Sequence, residues 1–221
     1  MSWESTTTYY QLINQGIQQR LGGFHSAKLC LLSIDFALIE NLQHQGDWQT
    51  CGKVLAEAAQ QIQRAGADCL LLCTNTMHKA AADIEAAITI PFLHIVDTTA
   101  KKLITDKIQC IGLLGTQFTM QQDFYKHRLN QNKLQALVPN QQLQTEIHRI
   151  IYQELCLGKI LNHSRQIFVE AINELKNAGA QAIVLGCTEI ALLIQQQHSS
   201  LPLYDTTQIH AEAAIEFALT K

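Results

Sequence analysis

The stretch AGADCLLLCTNT, residues 65–76, decides the fold because the chain repeats it as AGAQAIVLGCTE at residues 178–189. Both copies place Ala-Gly-Ala ahead of an apolar run that ends in a cysteine, Cys73 in the first copy and Cys187 in the second. Downstream, IPFLHIVDTT (90–99) and LPLYDTT (201–207) repeat a proline-led short strand that ends in Asp-Thr-Thr. A spacing of about 110 residues predicts two similar lobes, since solenoid repeats are roughly 20 to 50 residues long.

Helices and strands alternate in both copies. Residues 48–65 and 164–178 have helical spacing, and Gly66 and Gly179 suit the ends of these helices. The runs CLLLC and AIVLGC are continuously apolar, which is typical of parallel strands buried on both faces. Residues 27–35 and 108–115 are further strand candidates. We therefore predict an α/β fold of two pseudo-symmetric, Rossmann-like lobes with mainly parallel sheets: residues 1–99 with 206–221, and residues 100–205.

The repeat also indicates a missing element. TQFTMQQDFYKHRL (116–129) aligns with MSWESTTTYYQLIN (1–14), and in the second lobe the strand CIGLLG precedes this helix. No equivalent strand stands ahead of Met1. We expect the first lobe to lack its first strand, as if translation had been assigned to an internal methionine. The alternative is that the two lobes differ.

Composition limits the classes of function. With 47% apolar and 16% charged residues among 221, the sequence is typical of a compact globular protein with a substantial core. A net charge of −3 offers no basic surface to nucleic acid or anionic lipid, so a small molecule or another protein is the expected partner. No apolar run approaches the ~20 residues that span a bilayer, and the N-terminus lacks signal-peptide features, so we expect a cytoplasmic location.

Two of the seven cysteines stand where a ligand would bind. The seven form neither CxxC pairs nor a His-rich cluster, which argues against a disulfide framework and a structural zinc site. Ligands of open parallel sheets bind beyond the carboxyl ends of the strands, where Cys73 and Cys187 fall. We expect the helix that follows each cysteine to lower the thiol pKa from about 8.5 toward neutrality. An anionic substrate would be bound by the polar groups that follow, those of Thr74, Asn75, Thr76 and Thr188.

Two thiols that face one bound molecule from opposite sides suit the inversion of a carbon centre. Inversion removes a proton from one face and returns a proton to the other, so it needs a base and an acid of matched type. A Cα–H is very weakly acidic, so the site must also stabilise a carbanion through N–H and hydroxyl donors aimed at the carboxylate. No metal-binding or cofactor-binding motif is apparent in the sequence.

Six blocks together resemble one family. They are MSWESTTTYYQLIN (1–14), SIDF (33–36), CTNTMHK (73–79), LGT with FT (114–119), ELCLGK (154–159) and GCTEI (186–190). In this order along the whole chain, they resemble the aspartate/glutamate racemase family and its aspartate racemase branch. The resemblance implies a cofactor-independent racemase with its active site in the cleft between two lobes. It implies that Cys73 and Cys187 are proton donor and acceptor, and that the protein is a homodimer.

The resemblance also implies the residues that contact substrate. It assigns the substrate carboxylate and amine to Thr74, Asn75 and Thr76, and it places Thr188 and Glu189 beside the second cysteine. Further contacts come from Thr116, Thr119, Met1 and Ser2, and side-chain contacts from Gln43 and Lys159. Relatives carry a strand and a Gly-Gly turn ahead of Met-Ser-Trp, which this sequence does not show.

Several polar residues have simpler interpretations. His78 and His210 lie near helix starts, where a structural role is commoner than a substrate contact. Asp97 and Asp205 are interpreted as helix N-caps. Glu189 either tunes Cys187 or binds the substrate amine, or it is a first-turn carboxylate favoured by the helix dipole. The Gln-rich stretches, residues 130–146 among them, are interpreted as solvated surface.

Three other functions stay open at this stage. Within the enzymes, a broad-specificity amino-acid racemase or a maleate-type isomerase would also retain both cysteines. A decarboxylase protonates from one side only, so the second cysteine argues against it. The alternative outside the enzymes is a catalytically silent protein that binds a ligand in the two-lobed cleft.

Overall fold

The computed structural model describes residues 2–220, which divide into two compact units. The first unit is Met1–Ile95 with His210–Lys221, and the second is Val96–Ile209. Both units combine helices with parallel β-sheet, so the predicted α/β class is confirmed. Within residues 2–220, no helix is both long and apolar enough to cross a membrane.

The first unit carries a two-stranded sheet in the part of the chain that the structure describes. Its elements are α1 (Trp3–Leu21), α2 (Phe36–Gln45), α3 (Trp48–Arg64), β1 (Leu70–Leu71), a 3₁₀ turn (Thr76–Ala80), α4 (Ala81–Ala87), β2 (Phe92–Leu93) and the start of α5 (Ile95–Thr105). Strands β1 and β2 are parallel, and Leu70 N donates to Pro91 O at 2.9 Å. Leu55, Leu70, Met77 and Ile84 contribute to the core of this unit.

The second unit carries a four-stranded parallel sheet in the order β4-β3-β5-β6. Its elements are β3 (Cys110–Gly115), α6 (Gln117–Gln121), α7 (Asp123–Gln131), β4 (Gln135–Leu137), α8 (Gln141–Gln153), a 3₁₀ turn (Leu155–Leu157), α9 (Asn162–Asn177), β5 (Ala182–Gly186), α10 (Ile190–Leu193), a 3₁₀ turn (Gln196–His198), β6 (Leu203–Asp205) and α11 (Thr206–Leu219). Helix α11 ends in the first unit. Ile183 N donates to Pro202 O at 2.9 Å, which repeats the bond between Leu70 and Pro91.

The repeated sequence forms the same helix end in both units. Ala65 caps the C-terminus of α3 and is followed by Gly66 at φ +89°, and Ala178 caps α9 and is followed by Gly179 at φ +99°. These dihedrals lie in the left-handed region, which glycine adopts without a Cβ clash. Each Ala-Gly-Ala thus stops a helix and turns the chain into the strand that precedes a cysteine, as the repeat predicts.

The prediction of a strand at residues 27–35 is wrong, because these residues form no strand. Leu29, Leu31 and Leu32 are 40%, 47% and 42% exposed, although their sequence is apolar. A strand is stable only when a neighbour satisfies its backbone donors and acceptors, and none is hydrogen-bonded to this segment within residues 2–220. Conversely, β4 lies within residues 130–146, which were expected to be solvated surface.

Asp97 and Asp205 differ although their sequence is repeated. Asp205 Oδ1 accepts from Thr207 N at 2.8 Å and caps α11, as predicted. Asp97 does not cap, because α5 begins two residues earlier. Its carboxylate instead accepts two hydrogen bonds from the Arg128 guanidinium, each of 2.7 Å. Asp97 is therefore half of a bidentate ion pair within the second unit.

Candidate functional site

In the first unit, Cys73 follows β1 and is joined to the start of α1. Ser2 caps α1 by accepting from Ser5 N at 3.1 Å. The Ser5 hydroxyl then donates to the carbonyl oxygen of Cys73 at 3.1 Å. Ser2 and Ser5 are buried, so these bonds form away from solvent. The start of α1 and the backbone at Cys73, two residues after β1, therefore hold each other in place.

The polar residues after Cys73 form a buried turn. Asn75 and Thr76 are 3% and 6% exposed, and the 3₁₀ turn begins at Thr76. His78 Nε2 accepts from Ile95 N at 3.2 Å, because a backbone N–H can only donate. His78 Nδ1, 2.7 Å from Thr74 O, must then carry the proton and donate to that carbonyl. One neutral tautomer of His78 thus fixes the chain immediately after Cys73.

A second buried histidine supports the same region. His210 Nε2 lies 2.6 Å from Leu93 O and therefore carries the proton, which leaves Nδ1 to accept from the Tyr9 hydroxyl at 2.8 Å. Burial lowers the pKa of His210 to about 4. The rings of His78 and His210 lie 6.1 Å apart. Both histidines have all their ring nitrogens engaged within the protein, which supports the structural interpretation over substrate contact.

In the second unit, glycines bring the ends of β3 and β5 close together. Gly115 pairs with Gly186, so the residues that follow, Thr116 and Cys187, leave neighbouring strands at the same edge. A Cβ added at Gly115 would lie 3.0 Å from Gly186 O and 3.0 Å from Thr119 Cβ. Thr116 caps α6 by accepting from Thr119 N at 3.3 Å. The sheet register therefore gathers the predicted Thr116, Thr119 and Cys187 at one sheet edge.

Cys187 is bound by the carboxylate two residues along. Its thiol donates to Glu189 Oε2 at 2.9 Å, and Thr188 Oγ1 donates to the same oxygen at 2.6 Å. Desolvation and the negative charge of Glu189 raise the pKa of Cys187 well above its ordinary value. The carboxylate thus holds Cys187 in the protonated form, so Glu189 tunes this cysteine.

The expected lowering of the thiol pKa values is wrong for both cysteines. Burial raises the pKa of Cys73 to about 11. Only a 3₁₀ turn follows Cys73, and α10 after Cys187 has four residues. Elements this short sum few peptide dipoles, so desolvation dominates at both thiols. Both cysteines are therefore neutral thiols in the free protein at pH 7.

Three predicted residues remain. Gln43 is 4% exposed, and its Nε2 donates to Met77 Sδ at 2.8 Å, in the turn that begins at Thr76. The side chain of Lys159 is exposed, while its amide donates to Glu154 O at 2.9 Å. Met1 lies outside the described residues. The structure thus places Gln43 close to the turn after Cys73 and leaves Lys159 at the surface.

The sequence analysis did not single out two residues that contact the candidate site, Ser5 and Cys156. Ser5 was not singled out, although Ser2-x-x-Ser5 matches Thr116-x-x-Thr119 as the cap of the equivalent helix. Cys156 packs against the core that includes Cys187, and no sequence signal marks that contact.

Among residues 2–220, no three His, Cys, Asp or Glu side chains are placed to hold a metal ion.

Comparisons with known proteins bear on the family of this chain. Residues 1–214 match the family model described as Asp/Glu/hydantoin racemase. The chain is 50% identical to a candidate Asp/Glu racemase from Yersinia pestis, with a TM-score of 0.93 over 99% of this chain and 96% of that one. It is 31% identical to an aspartate racemase homologue from Pyrococcus horikoshii, with a TM-score of 0.82 over 98% and 94% of the two chains.

A further relative widens the range of substrates among similar proteins. Over 163 residues, the chain is 23% identical to the broad-specificity amino-acid racemase RacX of Bacillus subtilis, which covers 74% of this chain and 70% of that protein. The family inferred from the six blocks, and with it the prediction of an isomerase, is confirmed. This chain belongs to the Asp/Glu/hydantoin racemase family.

Proposed function

We propose that this chain racemises an amino acid, with aspartate and glutamate as substrates, by proton transfer between Cα and two cysteines, Cys73 and Cys187. The observation that carries the proposal is the equivalent position of the two thiols. Cys73 follows β1, in which Leu70 N donates to Pro91 O. Cys187 follows β5, in which Ile183 N donates to Pro202 O. Each is followed at once by a threonine. A duplicated thiol supplies the matched base and acid that inversion requires.

The proposed reaction balances with two thiols and no further reactant. The thiolate of one cysteine removes the Cα proton and becomes a thiol, and the pair of electrons stays on the carbanion. The thiol of the other cysteine then protonates the opposite face and becomes a thiolate. Hydroxyl and amide donors such as those of Thr74, Asn75 and Thr188 bind the carboxylate that shares the developing charge.

The raised pKa values fit a site that ionises when the substrate is bound. Both thiols are neutral in the free protein because they are desolvated. An α-ammonium group beside a thiol favours the thiolate, since an opposite charge stabilises the ionised form. Glu189 accepts a hydrogen bond from the Cys187 thiol and keeps that thiol protonated. We therefore assign Cys187 as the proton donor of the resting form and Cys73 as the base that the substrate activates.

The substrate class rests on the relatives. Those from Yersinia pestis and Pyrococcus horikoshii are described in terms of aspartate and glutamate. The Bacillus subtilis relative has broad specificity, and it supports a second candidate function, broad amino-acid racemisation by the same two thiols. Buried Gln43 offers an uncharged amide for side-chain recognition in either case. A cofactor-free homodimer in the cytoplasm stays a prediction.

The test is incubation of the protein in deuterated water with each enantiomer of aspartate, glutamate, alanine and lysine. We expect D-aspartate or D-glutamate to form from the L enantiomer with deuterium at Cα. The unreacted L enantiomer should at first keep its ordinary hydrogen at Cα. Turnover of all four amino acids would support the broad-specificity candidate. Binding without formation of the opposite enantiomer would refute racemisation and favour a silent binding protein.

Single substitutions at the cysteines test the two-base step. Cys73→Ser and Cys187→Ser should each lower racemisation by roughly 10²- to 10⁴-fold, the usual contribution of an acid or base. Each variant should still exchange the Cα proton of one enantiomer with solvent, and the two variants should act on opposite enantiomers. Cys30→Ser is the matched control, because Cys30 is exposed in the segment after α1. Unchanged racemisation in either active-site variant would exclude the mechanism.

A further inference from the structure

His78 holds the backbone immediately after Cys73 from the interior of the first unit. Its Nδ1 donates to Thr74 O at 2.7 Å, and its Nε2 accepts from Ile95 N at 3.2 Å. The residue is 2% exposed, so both bonds form away from water, where an unmade bond is costly. The imidazole ring therefore joins the carbonyl that follows Cys73 to the first residue of α5.

That carbonyl sets the direction of the peptide between Thr74 and Asn75. Among residues 2–220 no peptide bond is cis, and in a trans peptide the C=O and N–H groups point in opposite directions. Because Thr74 O is bonded to His78, the Asn75 N–H points away from His78. One hydrogen bond thus orients the first two residues after Cys73.

Aromatic rings pack around His78. The Phe92 ring is stacked on the imidazole with centroids 5.4 Å apart, and the rings of His94 and His210 lie 4.4 Å and 6.1 Å away. His94 and His210 are themselves 3% and 0% exposed. Side chains in a close-packed interior keep one orientation, so the positions of the two ring nitrogens are set by packing. His78 is therefore a rigid support for the turn.

In the second unit, a residue of another kind stands at the position equivalent to His78. Matching Cys73 to Cys187 places Leu192 there, and Leu192 is 46% exposed. Cys187 is held through its thiol, which donates to Glu189 Oε2 at 2.9 Å. The two cysteines are therefore supported by different groups, the first through the adjacent backbone and the second through its own side chain.

We propose that His78 is a positioning residue for the proton transfer at Cys73 and that it acts through the Thr74 carbonyl. The proposal rests on the proposed function, in which Cys73 is one of the two bases. His78 needs no contact with the substrate, since it fixes the peptide between Thr74 and Asn75 and with it the donors beside the thiol. Transfer at Cys73 should therefore depend on His78 more strongly than transfer at Cys187.

Two conservative substitutions separate the two hydrogen bonds of His78. In His78→Asn, the amide nitrogen replaces Nδ1 as donor to Thr74 O, while the acceptor for Ile95 N is lost. Asn14 and Asn132 already donate to the carbonyl four residues earlier, at 2.8 Å and 3.0 Å. In His78→Gln, the longer side chain brings its oxygen to the place where Nε2 accepts from Ile95 N, and the donor to Thr74 O is lost.

Racemisation should fall on the order of 100-fold in His78→Gln, the cost of a displacement of about 1 Å, and stay close to the wild-type rate in His78→Asn. His210→Gln is the matched control, because His210 is similarly buried and bonds to Tyr9 and Leu93. Equal loss in both His78 variants, loss in His78→Asn alone or loss in neither would overturn the proposal. An equal loss in His210→Gln would assign the effect to packing and would overturn it too.

A kinetic isotope effect separates positioning from a general loss of structure. The amino acid that turns over is supplied with deuterium at Cα, as each enantiomer in turn. In His78→Gln, slower transfer to Cys73 should enlarge the isotope effect for the enantiomer that Cys73 deprotonates and reduce it for the other. Isotope effects that change alike for both enantiomers would contradict the proposal.

Two further measurements do not depend on racemase activity. Alkylation of Cys73 by iodoacetamide should accelerate in His78→Gln alone, since a displaced turn admits water to the thiol. In the wild-type protein, nitrogen-15 NMR should show a neutral His78 ring with its proton on Nδ1, whether or not the variants fold. A proton on Nε2 would overturn the proposal. A wild-type protein that passes both measurements without racemising any amino acid would refute the proposed function and leave the support of Cys73 by His78 intact.

Discussion

The thiol of Cys73 should be much less reactive than a free cysteine at neutral pH. Burial raises its pKa from 9.0 to about 11, and only the thiolate attacks alkylating reagents. The difference lowers the thiolate fraction at pH 8 by about 100-fold. The alkylation rate of Cys73 is therefore measured at a series of pH values between 7 and 12. We expect this rate to rise about tenfold per pH unit until pH 11.

The assay is iodoacetamide labelling with quantification of the Cys73 peptide by mass spectrometry. N-acetylcysteine is the external reference, and exposed Cys30 reports on the reagent in the same digest. Restricted access would lower the rate by the same factor at every pH, whereas a raised pKa moves the midpoint. The two causes are therefore separable. A midpoint at or below pH 9 would refute the argument that desolvation controls this thiol.

The same pKa has a consequence for stability. The folded-state pKa of Cys73 lies above the unfolded value, so its contribution to the free energy of unfolding is fully present below about pH 9. That contribution is lost as the pH rises through about 11. Cys73→Ser should therefore weaken the alkaline decline of the melting temperature, measured by circular dichroism between pH 8 and 11.

Three further predictions concern the surroundings of the two thiols. Glu189→Gln removes the negative charge beside Cys187, so the pKa of Cys187 should fall and its alkylation at pH 8 should accelerate, while an unchanged rate would leave desolvation as the only cause. The pKa of His210 is lowered from 6.5 to about 4, so stability present above pH 6.5 should be lost as the pH falls through 4, by about 3 kcal/mol. In urea unfolding, His210→Gln should reduce this loss of unfolding free energy at acid pH. An unchanged loss would show that other groups titrate there. Gly115→Ala places a Cβ 3.0 Å from Gly186 O and should cost about 1–3 kcal/mol in unfolding experiments and lower racemase activity, whereas wild-type values for both would show that the strands can separate.

Much of the fold could be predicted because its signals are local. Gly66 and Gly179 mark helix ends through a backbone conformation that few other residues adopt, and the strands that follow are apolar on both faces. The prediction of a strand at residues 27–35 was wrong because a strand needs a hydrogen-bonded neighbour as well as β-propensity. Strand β4 was missed because edge strands carry polar residues, and its first residue, Gln135, is exposed.

The sequence could single out candidate site residues, whereas it could not predict their electrostatics. The repeat was enough to single out Cys73 and Cys187 and the polar residues behind them. Their pKa values depend on how many side chains exclude water and on the 2.9 Å contact with Glu189, neither of which has a sequence signature. The two Asp-Thr-Thr copies show the same limit, since a two-residue shift in the start of α5 turned a cap into an ion pair.

Residues 28–32 have a practical consequence for anyone who purifies this protein. They read KLCLL, a short run with high β-propensity and a single charge, and they stand unpaired at the surface. Such a run templates pairing between molecules, so concentrated stocks should precipitate over time. Cys30 in its centre is an exposed free thiol, so air would covalently link molecules that meet there. A reducing agent and low concentration should therefore extend the shelf life of the protein.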